Sequence, residues 1–279
     1  MTEAGQHAGG DARQETGGRV PAVLPEDVRA GIARVAALDH VVLATDFDGT
    51  LAPFVEDPMD ARPLPGAMVL LREAAGLDGV SVALVSGRDV DTLRLLSGVT
   101  DGDDIDLVGS HGAQSSRADM AAGALLDDDA RTRLAELDAA LVEVQQHHPA
   151  ARIERKPAAV ALHTRGLPDD VAAAALADAG ALGDRDGVHA LAGKSVVELG
   201  VVETSKGIAL RALQRLVDAD AVLYLGDDVT DELAFAMLPA AEGHLTIKVG
   251  EGDTTASCRV DSIPAVLDVL AEFVRRRLR

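Results

Sequence analysis

The run Val41-Val42-Leu43-Ala44-Thr45-Asp46-Phe47-Asp48-Gly49-Thr50 decides how the chain is read. Its first half is short and almost unbroken in apolar character, and it stops at Asp46. A segment of that kind predicts a strand of a parallel sheet buried on both faces. Two carboxylates then stand two residues apart at the strand's end, a costly arrangement unless a cation offsets them. Gly49 permits a tight turn there. A capped surface turn would give the same letters, so the surrounding chain has to decide.

Outward from this run the pattern repeats. Residues 25–38 and 65–77 read as helices, 80–85 as a strand ending at Ser86-Gly87-Arg88, and 89–98 as a helix. Residues 106–109 read as a strand ending at Ser110-His111-Gly112. At the far end 206–218 reads as a helix, 221–225 as a strand, 228–238 as a helix, 245–249 as a strand and 263–279 as a closing helix. Strands separated by helices predict an α/β, Rossmann-like three-layer core with a mostly parallel sheet. Chemistry in such sheets gathers beyond the carboxyl ends of the strands. Asp46, Ser86 and Asp227 each lie just past such an end and are expected to share one crevice.

The middle differs. Helical stretches at 127–146 and 168–179 alternate with strand-like runs at 151–155, 158–164, 188–191 and 195–199. This predicts an inserted second α/β domain, an open sheet with helices on one side. The expected division is a disordered tail at 1–20, core at 21–113, the inserted domain at 114–198 and core again at 199–279.

Composition narrows the classes. The chain has 279 residues, 47% of them hydrophobic, which suffices for a packed core despite a formal charge of −20. That charge argues against a nucleic-acid partner. Aromatic residues make up only 2%, with no Trp, so stacking platforms are scarce and hydrogen bonds are expected to carry recognition. Cys258 is the sole cysteine, which excludes an intrachain disulfide and suits a reducing compartment. No apolar run is long enough for a membrane, and 1–20 lacks the core of a signal peptide. The expectation is a cytoplasmic protein with no membrane and no obligate protein partner.

A second acidic group, Gly226-Asp227-Asp228-Val229-Thr230-Asp231-Glu232, again follows a buried-looking strand. Two carboxylate clusters facing one crevice suggest a hard cation with oxygen ligands, for which Mg2+ fits best. With these residues in view, Asp46-Phe47-Asp48-Gly49-Thr50-Leu51 resembles the nucleophile motif of the haloacid dehalogenase (HAD) superfamily. Ser86, Lys206-Gly207 and the 226–232 stretch are similar to its other motifs and occur in order. Longer stretches resemble the trehalose-6-phosphate phosphatase family: Val85-Ser86-Gly87-Arg88, Gly109-Ser110-His111-Gly112, Ile153-Glu154-Arg155-Lys156, Ala161-Leu162-His163-Thr164-Arg165, Val197-Glu198-Leu199 and Ile247-Lys248-Val249-Gly250.

The resemblance implies Mg2+-dependent hydrolysis of trehalose 6-phosphate through an aspartyl-phosphate. It makes Asp46 the nucleophile, Asp48 the acid and base, Ser86 a phosphoryl ligand and Lys206 the neutralising cation. Asp46, Asp227 and the backbone carbonyl of Asp48 would hold the metal, with Asp228 and Asp231 acting through water or behind the ligands. The resemblance also makes the inserted domain at 114–198 an α/β cap over the active site; Thr50, Gly87, Arg88, His111 and Gln114 in the core, and Glu154, Lys156, His163, Arg165 and Glu198 in the cap, are the implied substrate contacts. Arg88 has two readings, substrate contact or an ion pair bracing its loop. The sequence departs from the family pattern at Gln114, more often Glu, at Thr164 and Cys258, usually Tyr, and at Val202-Glu203, commonly Arg-Pro. Two readings therefore stay open beside the leading one: the same mechanism on another phosphorylated glycoside, or an inactive sugar-sensing protein.

Overall fold

The structure, a computed structural model, describes residues 23–120, 126–193, 195–202 and 204–279. The expected tail at 1–20 and the departure at Glu203 lie outside the described residues.

β1 (Val41–Asp46) is central in a seven-stranded sheet. On one side lie β2 (Val80–Val85), β3 (Ile105–Gly109) and β4 (Gln114–Ser115); on the other lie β9 (Ala221–Gly226), β10 (Leu245–Val249) and β11 (Cys258–Val260). All pairs are parallel except β3 with β4. Every residue of β1 is buried, and its side chains divide between two cores. Val41 and Leu43 join α1 (Glu26–Val35), α2 (Ala67–Ala75), α3 (Val90–Ser97) and α8 (Ile263–Arg277) on one face. Val42 and Ala44 join α6 (Lys206–Leu216) and α7 (Val229–Met237) on the other. The continuous apolar run at 41–45 thus reflects burial from both sides. Chain order runs outward from β1 in one direction through β2 and β3 and in the other from β9 through β10. The strand order therefore reverses at β1, where a crevice opens beyond the carboxyl ends.

Two strands escaped the sequence reading. β4 has two residues and β11 three, too short to show a period. β4 also moves the expected boundary at 114. Gln114 and Ser115 pair with Gly109 and Val108, and Met120 belongs to the core cluster, so the core continues past that point.

The second sheet is antiparallel, ordered β5 (Arg152–Lys156), β6 (Ala159–His163), β8 (Val196–Gly200), β7 (His189–Gly193). Val160, Leu162, Val197 and Leu199 pack against α4 (Asp128–His147) and α5 (Asp169–Gly180). Alternation sends Glu154, Lys156, His163 and Glu198 to the opposite, helix-free face. β8 ends at Gly200, two residues beyond the expected close of the cap at 198. None of the described helices is long and apolar enough to cross a membrane.

Candidate active site

The end of β1 delivers Asp46 into the crevice with 4% of its surface exposed. Beyond it the chain doubles back. The Leu51 and Ala52 amides donate to the Phe47 carbonyl at 3.0 and 2.8 Å, and the Gly49 amide donates to the Ala52 carbonyl at 2.8 Å. Gly49 has φ +81°, and a Cβ there would strike the Asp227 carboxylate, so two requirements select glycine. This turn holds Asp46 and Asp48 on one side of a cavity of about 390 Å³, together with Ser86, Arg88, His111 and Lys206.

Lys206 begins α6, whose N-cap is Ser205, its side chain accepting from the Ile208 amide at 3.1 Å. The Lys206 ammonium is buried and donates to Asp46 Oδ1 at 2.7 Å and Asp231 Oδ1 at 2.8 Å. Asp228 Oδ1 stands 3.8 Å from it. Burial works against the ammonium charge, yet Asp46 and Asp231 raise the lysine's pKa. Asp231 has every oxygen engaged. Oδ1 also accepts from Tyr224 at 2.5 Å, and Oδ2 accepts from the Asp227 and Asp228 amides at 2.9 and 3.1 Å. Gly226 is required here, because a Cβ would overlap the Asp231 carboxyl. Asp228 and Asp231 form the capping box of α7.

Asp46, Asp227 and Asp231 bring carboxylate oxygens within 4.8 Å of one another. One lysine cannot neutralise three such groups. The Asp46 carboxyl is pushed well up by burial, against the pull of Lys206 and with further push from Asp231 and Asp227. Asp227 is raised to about 6 by burial and by Asp231 and Asp228. This crowding suits a divalent cation and oxygen-only donors suit a hard one. Asp231 is spent on hydrogen bonds, which leaves Asp46 and Asp227 as the side chains able to hold it. Asp228 is lowered instead: burial is outweighed by Lys206 and by hydrogen bonds from Thr230 and the Asp231 amide.

Thr50 Oγ1 donates to Asp227 Oδ1 at 3.3 Å, so it positions a carboxylate in this structure. Arg88 resolves toward the ion-pair reading, forking onto Asp48. Ser86 Oγ accepts from the Arg88 amide at 3.1 Å and lines the cavity. His111 has φ +52° and an Nδ1 without a partner, and its ring covers Gly87 so closely that a Cβ there would collide. Burial, and then Lys206, lowers its pKa. Gln114 spends its Oε1 on the Val90 amide at 3.0 Å, at the start of α3.

The cap residues spread along the open face. Lys156 and Glu198 are ion-paired with each other at the end nearest the core, beside Ser110 and Gln114. Glu154 is next along and binds His163 at 2.6 Å. Arg165 lies at the far end, where it lines a separate hollow with Arg152 and His163. The structure thus brings Lys156 and Glu198 to the crevice, while Arg165 stands away from it.

Sequence reading gave no role to Tyr224, Lys248 or Phe54. Tyr224 is fully buried and steadies Asp231. Lys248 is buried in β10 and its ammonium donates to the Asp227 carbonyl. A lysine inside an apolar strand was the available signal for it. Phe54 carries no such signal.

A doubly wound sheet whose central strand ends on paired aspartates, with an α/β cap inserted between its halves, is the HAD phosphatase architecture. Solved structures agree. Aspergillus fumigatus trehalose-6-phosphate phosphatase overlays with a TM-score of 0.63 at 24% identity, covering 88% of this chain and 97% of that one. A trehalose-6-phosphate phosphatase related protein gives a TM-score of 0.55 at 25% identity, over 84% and 97% of the two chains. Residues 44–263 match the trehalose-phosphatase family, and the chain belongs to it. The trehalose-phosphate phosphatase of Mycobacterium marinum is 31% identical over 276 residues, 95% of this chain and 69% of that protein. An uncharacterized glycosyl hydrolase of Mycobacterium tuberculosis is 36% identical over 204 residues, 68% of this chain but 15% of that protein.

Proposed function

We propose that the protein hydrolyses trehalose 6-phosphate to trehalose and inorganic phosphate. The observation that carries the chemistry is the placement of Asp46 and Asp48 on one cavity with Lys206 bonded to Asp46. In the first step an Asp46 oxygen attacks phosphorus, the P–O bond to the sugar breaks, and Asp48 gives its proton to the departing oxygen. In the second step Asp48 takes a proton from water, whose oxygen attacks the aspartyl-phosphate, freeing phosphate and restoring Asp46. Lys206 holds positive charge beside Asp46 throughout, and Ser86 meets the phosphoryl oxygens. A Mg2+ ion held by Asp46, Asp227 and the Asp48 carbonyl would supply further charge for the phosphoryl group.

The substrate half of the reading is supported by family membership and by the cap. Lys156 and Glu198 stand on the open face where a sugar entering the crevice meets them, and the cap closes over the bound molecule. Their mutual ion pair occupies both groups until sugar hydroxyls replace it. Phosphate release from trehalose 6-phosphate, glucose 6-phosphate, sucrose 6-phosphate and an aryl phosphate, with and without Mg2+, tests the proposal. Selective, metal-dependent turnover of the first, lost in Asp46→Asn, is expected. Preference for another phosphorylated glycoside would keep the chemistry and reassign the substrate. Silence on all four would overturn the reading.

A further inference from the structure

The chain has four Phe, one Tyr and no Trp. Tyr224, Phe47, Phe235 and Phe273 are each at most 1% exposed, whereas Phe54 is 73% exposed. A lone exposed apolar side chain is ordinary; the location of this one is not. Phe54 lines the same cavity as Asp46, Asp48 and Arg88. The stretch that carries it is tied to the core at its two ends. Ala52 is fully buried and bridged to Asp48, and the chain leaves the core at the next residue. On the far side the chain turns at Asp57, which accepts from the Met59 amide at 2.9 Å, and re-enters the core at Ala61, 1% exposed. The exposed stretch between these buried residues puts the ring on the wall of the cavity that Asp48 also lines.

Apart from Pro58 and Gly87 the cavity's other walls are polar or charged, so the ring has little apolar protein to pack on. It is also no partner for the phosphoryl group, because an aromatic face and a phosphate are both electronegative. Nor is it taken by Arg88, whose guanidinium lies 5.9 Å over Phe47. What complements it is a neutral ligand surface rich in C–H bonds. The face of a pyranose ring is such a surface. Asp48, as the group that protonates the leaving oxygen, marks the side of the cavity on which that sugar sits.

We propose that Phe54 is a substrate-contacting residue whose ring stacks on the sugar attached to the scissile phosphate, and that it favours phosphorylated pyranosides over small phosphate esters. This rests on the phosphatase reading above. It also means that recognition is not carried by hydrogen bonds alone, contrary to the expectation from composition.

Two measurements test it. Phe54→Ala should raise KM for trehalose 6-phosphate ~10-fold while leaving kcat/KM for acetyl phosphate, which has no ring, unchanged. Phe54→Trp should restore KM and give the protein its only indole. In an Asp46→Asn background, which blocks turnover, trehalose 6-phosphate should shift that indole's emission saturably and inorganic phosphate should not. Wild-type turnover of trehalose 6-phosphate with an unaltered KM in Phe54→Ala would overturn the stacking role alone. So would a silent indole at sugar phosphate concentrations where calorimetry on the same sample records binding. A wild-type protein that releases no phosphate from any sugar phosphate would overturn the parent reading, and this inference with it.

Discussion

Arg88 grips Asp48 with both arms of its guanidinium, Nε to Oδ2 and Nη2 to Oδ1, each at 2.7 Å. Both side chains are largely sheltered, and the hydrogen bond to Asp48 raises the arginine's pKa against the effect of burial. The fork fixes where the Asp48 carboxyl points and occupies both of its oxygens. In the mechanism proposed above, the fork must open before Asp48 acts as the acid. Lysine cannot reproduce the planar fork. Arg88→Lys is therefore expected to lower kcat/KM for the sugar phosphate about 100-fold. The double variant with Asp48→Asn should be no worse than Asp48→Asn alone, because the two act as a unit. Additive losses in steady-state assays would show that Arg88 works independently of Asp48.

Lys206 carries a different burden. It is 2% exposed and lies between Asp46 and Asp231, themselves buried. Its removal strands two carboxylates with too little positive charge. Lys206→Met should cost about 3–5 kcal/mol, and the melting temperature should fall by roughly 10 °C. Restoring neutrality through Asp231→Asn in the same chain should recover part of that loss without recovering activity. Calorimetric scans of the three proteins decide it. A Lys206→Met variant as stable as the wild type would show that the buried lysine contributes no net stability.

The same excess of carboxylate predicts a stabilising cation. Three acidic groups offer oxygens within 4.8 Å of one another, and the Lys206 ammonium bonds two of them, Asp46 and Asp231, so Mg2+ should bind the folded chain far better than the unfolded one. At a concentration 100 times its dissociation constant it should add about 2.7 kcal/mol of stability. Asp227→Asn should abolish this increment, and chelation should abolish turnover. A melting temperature indifferent to Mg2+ at millimolar levels would count against a site made by Asp46 and Asp227.

How much of this was readable beforehand follows from what each signal depends on. β1, β2 and β9 were legible because burial from both sides writes a mostly apolar run, and the acids at the ends of β1 and β9 were legible because charge is out of place there. β4 and β11 were not, since two or three residues show no period. Lys156 and Glu198 could be placed on one cap face by alternation, yet only the folded sheet separates them from Arg165 at the opposite end. Gln114 reads as a sugar contact by position, while its side chain oxygen caps α3. Phe54 was invisible, because a phenylalanine in a turn looks the same whether it packs inward or overhangs a cavity.

His244, remote from the crevice, gives the chain a pH-dependent weakness. The ring is 1% exposed. Its Nδ1 accepts from the Val222 amide at 3.1 Å, which leaves the ring proton on Nε2, 2.8 Å from the Arg211 guanidinium and 3.7 Å from Glu242 Oε2. Burial, followed by the Arg211 charge, lowers the histidine's pKa from its ordinary 6.5; Glu242 opposes the shift and Arg34 adds to it. In the unfolded chain the ring takes up a proton as pH falls through 6.5, whereas the folded chain refuses it until a lower pH. The unfolded state then binds more protons, so stability declines on acidification across that window, by at most about 1.4 kcal/mol per pH unit. Above the window neither state is protonated and His244 contributes no slope. Asparagine can accept from the Val222 amide without titrating, so His244→Asn should flatten the decline. Urea midpoints measured at about pH 5.5 and pH 7.5 should differ more in the wild type than in the variant. Equal differences would place the acid sensitivity elsewhere in the fold.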